Sequence, residues 1–481
     1  MNDLSLQDLL RIEDSSELML FRCEETDIPW WPAIRAVYLR LIMSDLLYKE
    51  SIIKQRNGGS KSRAIKYLAR SIAHNAATRL RNVRAELCFM TDSVGNRQVN
   101  GEWFNRLNGY FTARYPNSSI ILEDHYNWEW QFPRRSGPVL LHAGDRVGQA
   151  LLAKILPINI SLQQRAEQML DLLHARSFAE LGWTPPPAQR QLLVRMLTQK
   201  ASILRYQYRH YRALLKKISP RLLFVNAGAY GPFAALLVAA KSLGIVTAEV
   251  QHGAISAGHD AYNVAPRLAA DPIYAKCLPD YFLSYGKWWT DQINLPFSRI
   301  SIGNPHRDAQ IEAATNAAQS PRAGAAPIIL ILGDGIDTQI YINLAQALTV
   351  AMSGRYQVLF RPHPMEREEV RRKFQGAVQM DCNADIYASL LQAEVVISEI
   401  STGLFEAIGL SKRIFMWNTK KSQFVYPHPP FATFSNKDDL IHLIDSGNTG
   451  GLSQDQIRTI WAPDWKTNFD SFVRLHQNRP A

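Results

Sequence analysis

Cysteine is scarce. Four residues in 481, Cys23, Cys88, Cys277 and Cys382, stand far apart and form no C-x-x-C or Cys/His ligand spacing. That argues against a disulfide framework and against a zinc site legible from spacing, and it fits a reducing compartment. Long apolar runs are missing as well. The nearest, residues 231–240, stops at Lys241, short of the ~18 residues that span a bilayer. The N-terminus, MNDLSLQDLLRIEDSSELMLF, lacks the basic start and apolar centre of a signal peptide. A cytoplasmic protein is expected, with membrane contact only peripheral, at the inner face. Three signatures are absent: G-x-x-x-x-G-K-[ST], D-x-D near a strand end, and G-x-S-x-G. Their absence disfavours a P-loop kinase or ATPase, a metal-dependent nucleotide-sugar site and an α/β-hydrolase. Neither a divalent metal nor a cofactor is expected.

Acid is missing locally. Residues 51–84 carry nine Lys/Arg and no Asp/Glu, and residues 188–221 carry nine more, again without an acid. The formal net charge is +11, yet outside these two segments 36 basic residues face 43 acidic ones. The basic excess therefore belongs to two short stretches that seek an anionic partner, a membrane surface or an acidic acceptor. A basic nucleic-acid-binding protein is the alternative of another class, but no nucleic-acid-reading module accompanies these segments, so a nucleic-acid partner is not expected. What remains is ordinary globular composition, 46% hydrophobic and 10% aromatic, and the length suits two or three domains.

Residues 1–85 read as a helical extension ending in the first basic segment. Short apolar runs then alternate with helical stretches, which is the pattern of a parallel α/β sheet. Strands are expected at 85–90, 119–122, 138–141, 222–226, 245–250, 280–285 and 300–303, with a polar loop TDSVGNRQVNGEW after the first. A long helix fills 189–218, and Arg205, Arg209 and Arg212 share one of its faces. Residues 313–327, AATNAAQSPRAGAAP, read as a linker. The pattern then restarts, with strands at 328–332, 356–360, 395–398 and 413–416. The expected organisation is an extension over 1–85, a first Rossmann-like domain over 86–315, and a second Rossmann-like domain over 316–460. Residues 461–481 form a tail that could cross back to the first domain. Two such domains would face each other across a cleft at their strand C-termini.

The informative polar clusters sit at strand ends. Gln251-His252-Gly253 follows one strand, with His259 and Tyr262 soon after; His252 is placed as a general base and Gly253 lets backbone amides approach a ligand. Arg361-Pro362-His363-Pro364 follows another strand, and its guanidinium and imidazole suit a diphosphate. In S-E-I-S-T-G-L-F-E, running from Ser398 to Glu406, Ser401 or Thr402 caps a helix at 401–409, and the cap suits an anion. Glu406 could hold a ribose hydroxyl. Gly333-Asp334-Gly335 offers amides to a phosphate.

These residues resemble the GT-B glycosyltransferases of bacterial capsule, O-antigen and lipopolysaccharide assembly. The similarity covers roughly 222–417. The motif order also resembles the CDP-glycerol glycerophosphotransferases and, less closely, bacterial sialyl- and polysialyltransferases. The resemblance implies that Arg361 and His363 contact the donor phosphate, that Ser398, Ser401 and Thr402 bind phosphate or nucleotide, and that Glu406 meets the ribose. His252 matches the base of the glycerophosphotransferases, whereas the sialyltransferase pattern would place an acid in the first domain, for which Asp92 is the nearest candidate. It further implies an inverting, metal-independent transfer from a nucleotide sugar to a glycan or lipid-linked acceptor. The donor would be a CMP-sugar such as CMP-Kdo or CMP-sialic acid, or a UDP or GDP sugar. A glycerophosphotransferase or a nucleotide-sugar 2-epimerase on the same fold is the alternative.

Overall fold

The computed structural model describes residues 4–52, 60–80, 83–125, 127–156, 160–317, 326–383, 385–447 and 451–477. The chain forms two compact units. Ser5–Ile255, His259–Gly303 and the described residues beyond Pro463 make the first; Ser256–Gly258 and Asn304–Pro463 make the body of the second.

In the first unit the strands are β1 (Leu87–Asp92), β2 (Asn96–Val99), β3 (Glu102–Asn105), β4 (Ser119–Asp124), β5 (Val139–Leu141), β6 (Leu222–Val225), β7 (Val246–Val250), β8 (Tyr281–Ser284) and β9 (Ser298–Ser301). Seven of them pair in the order β5-β4-β1-β6-β7-β8-β9, every pair parallel. Runs such as LLFV are buried on both faces, and that is why they read as continuous apolar segments without alternation. The order reverses between β1 and β6, so the switch point, where open sheets take ligands, lies between Asp92 and Asn226. The expected polar loop after β1 is instead an antiparallel hairpin of β2 and β3. Asn100-Gly101 at its tip, both at positive φ, make the turn that joins them.

The N-terminal 85 residues are helical but not a separate body. The helices Leu6–Glu13 and Trp31–Met43 bury Leu9, Ile12, Trp31, Ile34 and Tyr38 within the first unit. The first basic segment supplies the helix Lys61–Leu80, while residues 53–59 and 81–82 lie outside the described residues. This helix covers the edge strand: Asn75 donates to Leu141 O and accepts from Leu141 N, both at 2.8 Å, so β5 is not left as an open template. The C-terminal helix Trp465–Gln477 inserts Phe469, Phe472 and Val473 into the same core as Phe89, Phe224 and Leu222.

The second unit has β10 (Ile328–Leu332), β11 (Gln357–Arg361), β12 (Ala393–Ser398), β13 (Arg413–Trp417) and β14 (Ala432–Phe434) in the parallel order β11-β10-β12-β13-β14. Its switch point falls between β10 and β12. The expected two-domain α/β class is what forms, with three corrections. The chain leaves the first unit at Gly303, because residues 313–317 close a helix, Pro305–Ala317, that belongs to the second unit; residues 318–325 lie outside the described residues. The helix expected at 401–409 is a single turn, Gly403–Glu406, followed by turns. The strand β14 carried too little apolar sequence to be read beforehand.

Phe469 is completely buried, so Phe469→Ala should lower the stability of the first unit by about 3–5 kcal/mol. A shift of the urea midpoint at constant slope measures it, and an unchanged midpoint would detach the C-terminal helix from this core.

Candidate functional site

The first unit gathers its polar cluster where β7 ends. Gln251, Gly253, His252, His259 and Tyr262 all lie here, but in different parts. Gln251 is fully buried and is a bracket: its side chain donates to Gly253 O at 2.8 Å and accepts from Tyr285 N at 2.8 Å. A Cβ added at Gly253 would meet nothing within 4 Å, so the chain is open to an approaching group there. His252 keeps a quarter of its side chain exposed. Its Nδ1 lies 3.5 Å from Tyr262 Oη and 4.0 Å from Glu249 Oε1, and Tyr262 donates to Glu249 through a short hydrogen bond. With the Tyr262 hydroxyl hydrogen on Glu249, Tyr262 Oη accepts from His252 Nδ1–H. That tautomer leaves the Nε2 lone pair of His252 for a proton from outside.

Glu249 sits inside β7, paired in register with Val225 and Phe282. Burial pushes its carboxyl up to about 7, against the pull of the Tyr262 hydroxyl and the backbone amides of Ala229, Gly228 and Ala227. Burial, with the nearby charges of His259, Arg106 and Arg40, holds His252 down at about 4. His259 is also lowered to about 4, burial and Arg40 outweighing Asp260. Its Nδ1 accepts from Ala261 N at 3.2 Å, so its Nε2–H donates to Tyr230 Oη at 3.0 Å. At neutral pH both imidazoles are uncharged and Glu249 is near its midpoint.

The N-terminal helices hold this loop in place. Arg40 grips Asp260 with two bonds, at 3.0 and 3.1 Å, and lies 4.9 Å from the centre of the Tyr230 ring. Arg35 and Glu13 form a buried pair at 2.6 and 2.7 Å; Arg35 also donates to Asn263 O and Asp260 O, while Glu13 accepts from Ala265 N and the Trp31 indole. Asp92, the other base candidate, ends β1 at the switch point and caps the short turn Ser93–Gly95, accepting from Val94 N at 2.9 Å.

In the second unit the structure brings the G-D-G loop and the R-P-H-P loop together. A Cβ on Gly335, which sits at φ +76°, would lie 3.0 Å from the His363 ring, and one on Gly333 would lie 3.4 Å from His363 N. At Gly335 the positive φ and this close approach both call for glycine. His363 is half-buried, and its Nδ1 accepts from Met365 N at 3.3 Å, so the neutral ring presents Nε2–H. Asp334 accepts from Tyr341, whose oxygen accepts from Glu399 N. Glu399 is completely buried between Thr419 and Lys421, and burial raises its pKa.

Arg361 corrects the sequence reading. Only 6% of its side chain is exposed, and its guanidinium turns into the unit, pairing with Asp381 and donating to Asn383 O at 2.9 Å and Ser389 Oγ at 3.2 Å. It braces the loop whose tip carries His363. Ser398 is likewise internal, fully buried and donating to Leu332 O at 2.7 Å, so it ties β12 to β10. Ser401 accepts from Gly403 N, Thr402 is exposed, and Glu406 lies in the single helical turn. One turn has too small a dipole for the anion site expected of a full helix.

No protein-family model matches the chain, and no curated protein matches it. Among solved structures, UDP-GlcNAc 2-epimerase from Methanocaldococcus jannaschii is 11% identical, with a TM-score of 0.43 over 81% of this chain and 98% of that one. UDP-GlcNAc 2-epimerase from Neisseria meningitidis bound to UDP-GlcNAc is also 11% identical, with a TM-score of 0.40 over 81% and 99%. The wall teichoic acid polymerase TagF is 12% identical, with a TM-score of 0.43 over 87% and 98%. A likeness of this degree says nothing of activity.

The long helix Pro187–Ile218 does carry Arg205, Arg209 and Arg212, but its missing acids arrive from elsewhere. Arg209 pairs with Glu25 and Arg190 with Asp171. Arg205 stacks on Tyr206 and lines a hollow of about 410 Å³ with Arg22, Arg165 and Trp30; Arg212 is half-buried. Sequence reading missed Glu249, Glu399, Tyr230 and the Arg40–Asp260 pair. The signal for Glu249 was present: a carboxylate inside the apolar strand VTAEV has no reason to be there unless it is used.

A raised carboxyl pKa gives a definite pH dependence. The folded state binds the Glu249 proton more tightly than the unfolded chain, so its contribution is favourable in acid and is lost as pH rises from about 4.5 to about 7. Glu249→Gln should therefore be more stable than the parent at pH 8, by roughly 3 kcal/mol, with the difference vanishing near pH 4.5. Equal differences in denaturation midpoint at both pH values would remove the buried ionisation.

Proposed function

We propose that this chain is a metal-independent, inverting glycosyltransferase of the GT-B class, which transfers a sugar from a nucleotide-sugar donor to a lipid-linked or growing surface-glycan acceptor. The observation that carries this reading is the His252–Tyr262–Glu249 relay at the C-terminal end of a central parallel strand. A partly exposed imidazole with its basic nitrogen outward, oriented from behind by a hydroxyl and a carboxylate, is a general-base arrangement. As the acceptor oxygen attacks the anomeric carbon, its proton goes to His252 Nε2. The bond from that carbon to the donor phosphate breaks, and the electron pair leaves with the phosphate. The resulting imidazolium is stabilised by ionised Glu249, 4.0 Å away. Within the second unit, His363 and the amides of Gly333–Gly335 are proposed to hold a nucleotide phosphate.

The acceptor side fits an anionic membrane. No helix among the described residues is long and apolar enough to cross a bilayer. The helix Lys61–Leu80 exposes Ile65 and Ile72, each 69% exposed, beside the exposed Lys61, Arg63, Lys66 and Arg70. Apolar side chains set among cations suit a peripheral contact with acidic lipid head groups.

His252→Ala should lower transfer by about 10²–10⁴-fold while the protein still gains thermal stability from its nucleotide. His363→Ala and Gly335→Ala should lose that nucleotide-induced shift. Transfer should fall as pH drops through about 7, where Glu249 takes up its proton. Near-normal turnover in His252→Ala would sink the base assignment. A nucleotide sugar epimerised without acceptor, or CMP released from CDP-glycerol, would replace the transferase reading by the epimerase or the glycerophosphotransferase.

A further inference from the structure

Away from β7, at the far edge of the same sheet, three side chains converge that the transfer chemistry does not use. His142 follows β5 directly and precedes the helix Ala143–Ile155; Asp145 stands one turn on, and His210 reaches in from the helix Pro187–Ile218. Asp145 Oδ2 lies 3.0 Å from His142 Nδ1 and 3.5 Å from His210 Nε2, and the three ligand atoms lie within 4.8 Å of one another. His210 Nε2 is a buried atom with no hydrogen-bond partner. We infer that His142, Asp145 and His210 form a binding site for a borderline divalent transition ion of the zinc class.

The spacing fits. Four-coordinate zinc with bonds of 2.0–2.1 Å sets its ligands about 3.3 Å apart, between the two measured separations. Two imidazoles and one carboxylate suit such an ion, whereas calcium or magnesium would ask for more oxygen. The orienting group is also in place: with the ion on Nδ1, His142 carries its proton on Nε2, which lies 3.2 Å from Tyr211 Oη and donates to it. Histidine ligands are held by partners of this kind. The side chains of Asp145 and His210 remain 30% and 36% exposed, which leaves room for a water as fourth ligand.

The site is four strands from β7, roughly 19 Å at the usual strand spacing. The ion would not touch the reacting atoms there. It would staple the end of an edge strand to the long basic helix, so this inference stands or falls separately from the transferase reading.

The test is metal analysis of the full chain, stripped with chelator and dialysed against Zn²⁺, with calorimetry for affinity and Co²⁺ as a spectroscopic probe. One ion per chain and the visible bands of tetrahedral Co²⁺ are expected. His210→Ala, at a partly exposed position, should keep its circular dichroism and weaken zinc binding by roughly 100-fold, and Tyr211→Phe, which touches no ion, by about tenfold. No zinc bound by the parent at micromolar free metal, or parent-like binding in His210→Ala, would overturn the site.

Discussion

The buried Glu13–Arg35 pair is the constraint on which the first unit's chemistry depends. Neither side chain reaches solvent appreciably, and an ion pair in such a place stabilises only if every remaining donor and acceptor is met. Here they are met by the segment that follows β7: Arg35 takes two of its carbonyls and Glu13 one of its amides. Ordering that segment and satisfying the pair are thus one event. His259 and Tyr262 lie on it, and Tyr262 in turn sets the tautomer of His252. Residues near the N-terminus, more than 200 positions away in sequence, thus set how the segment after β7 is held.

The two units handle charge in parallel ways. Each places a carboxylate where water cannot reach it, Glu249 inside β7 and Glu399 just beyond β12, and burial raises both. Each carboxylate is approached by a tyrosine, Tyr262 in one case and Tyr341, through the backbone of Glu399, in the other. The difference lies in what closes the circuit. Lys421 and Thr419 hold Glu399 with charge and hydrogen bond, a stiff arrangement. Glu249 has only amides and a hydroxyl, so it stays poised to change protonation when a neighbouring imidazole does. One is a strut, the other a proton store.

Strand positions and class were legible because parallel strands are buried on both faces and announce themselves as apolar runs. Boundaries moved by a residue or two, as at β6 and β9. The errors share a cause: tertiary partners that local sequence does not contain. Arg361 looked like a phosphate ligand because two prolines follow it at a strand end, yet Asp381, twenty residues later, takes its guanidinium. The basic face at Arg209 looked unbalanced until Glu25 arrived from a loop near the N-terminus. The loop after β1 looked structureless because its residues are polar on both faces, yet Asn100-Gly101 were a hairpin signal. His363 lies beside the G-D-G loop and His252 beside Tyr262 because each pair sits at the ends of neighbouring strands or on the loop that follows one.

The helix Trp465–Gln477 completes the core of the unit that the first 300 residues begin. Asn304–Pro463 are therefore an insertion in the topological sense: the chain leaves one body, builds another, and comes back. On a ribosome adding ~5–20 residues per second, the 160 residues of that insertion emerge over roughly 10–30 s while Phe89, Phe224 and Leu222 wait for Phe469 and Phe472. Until then the apolar faces that Phe469 and Phe472 cover in the finished core lack that cover.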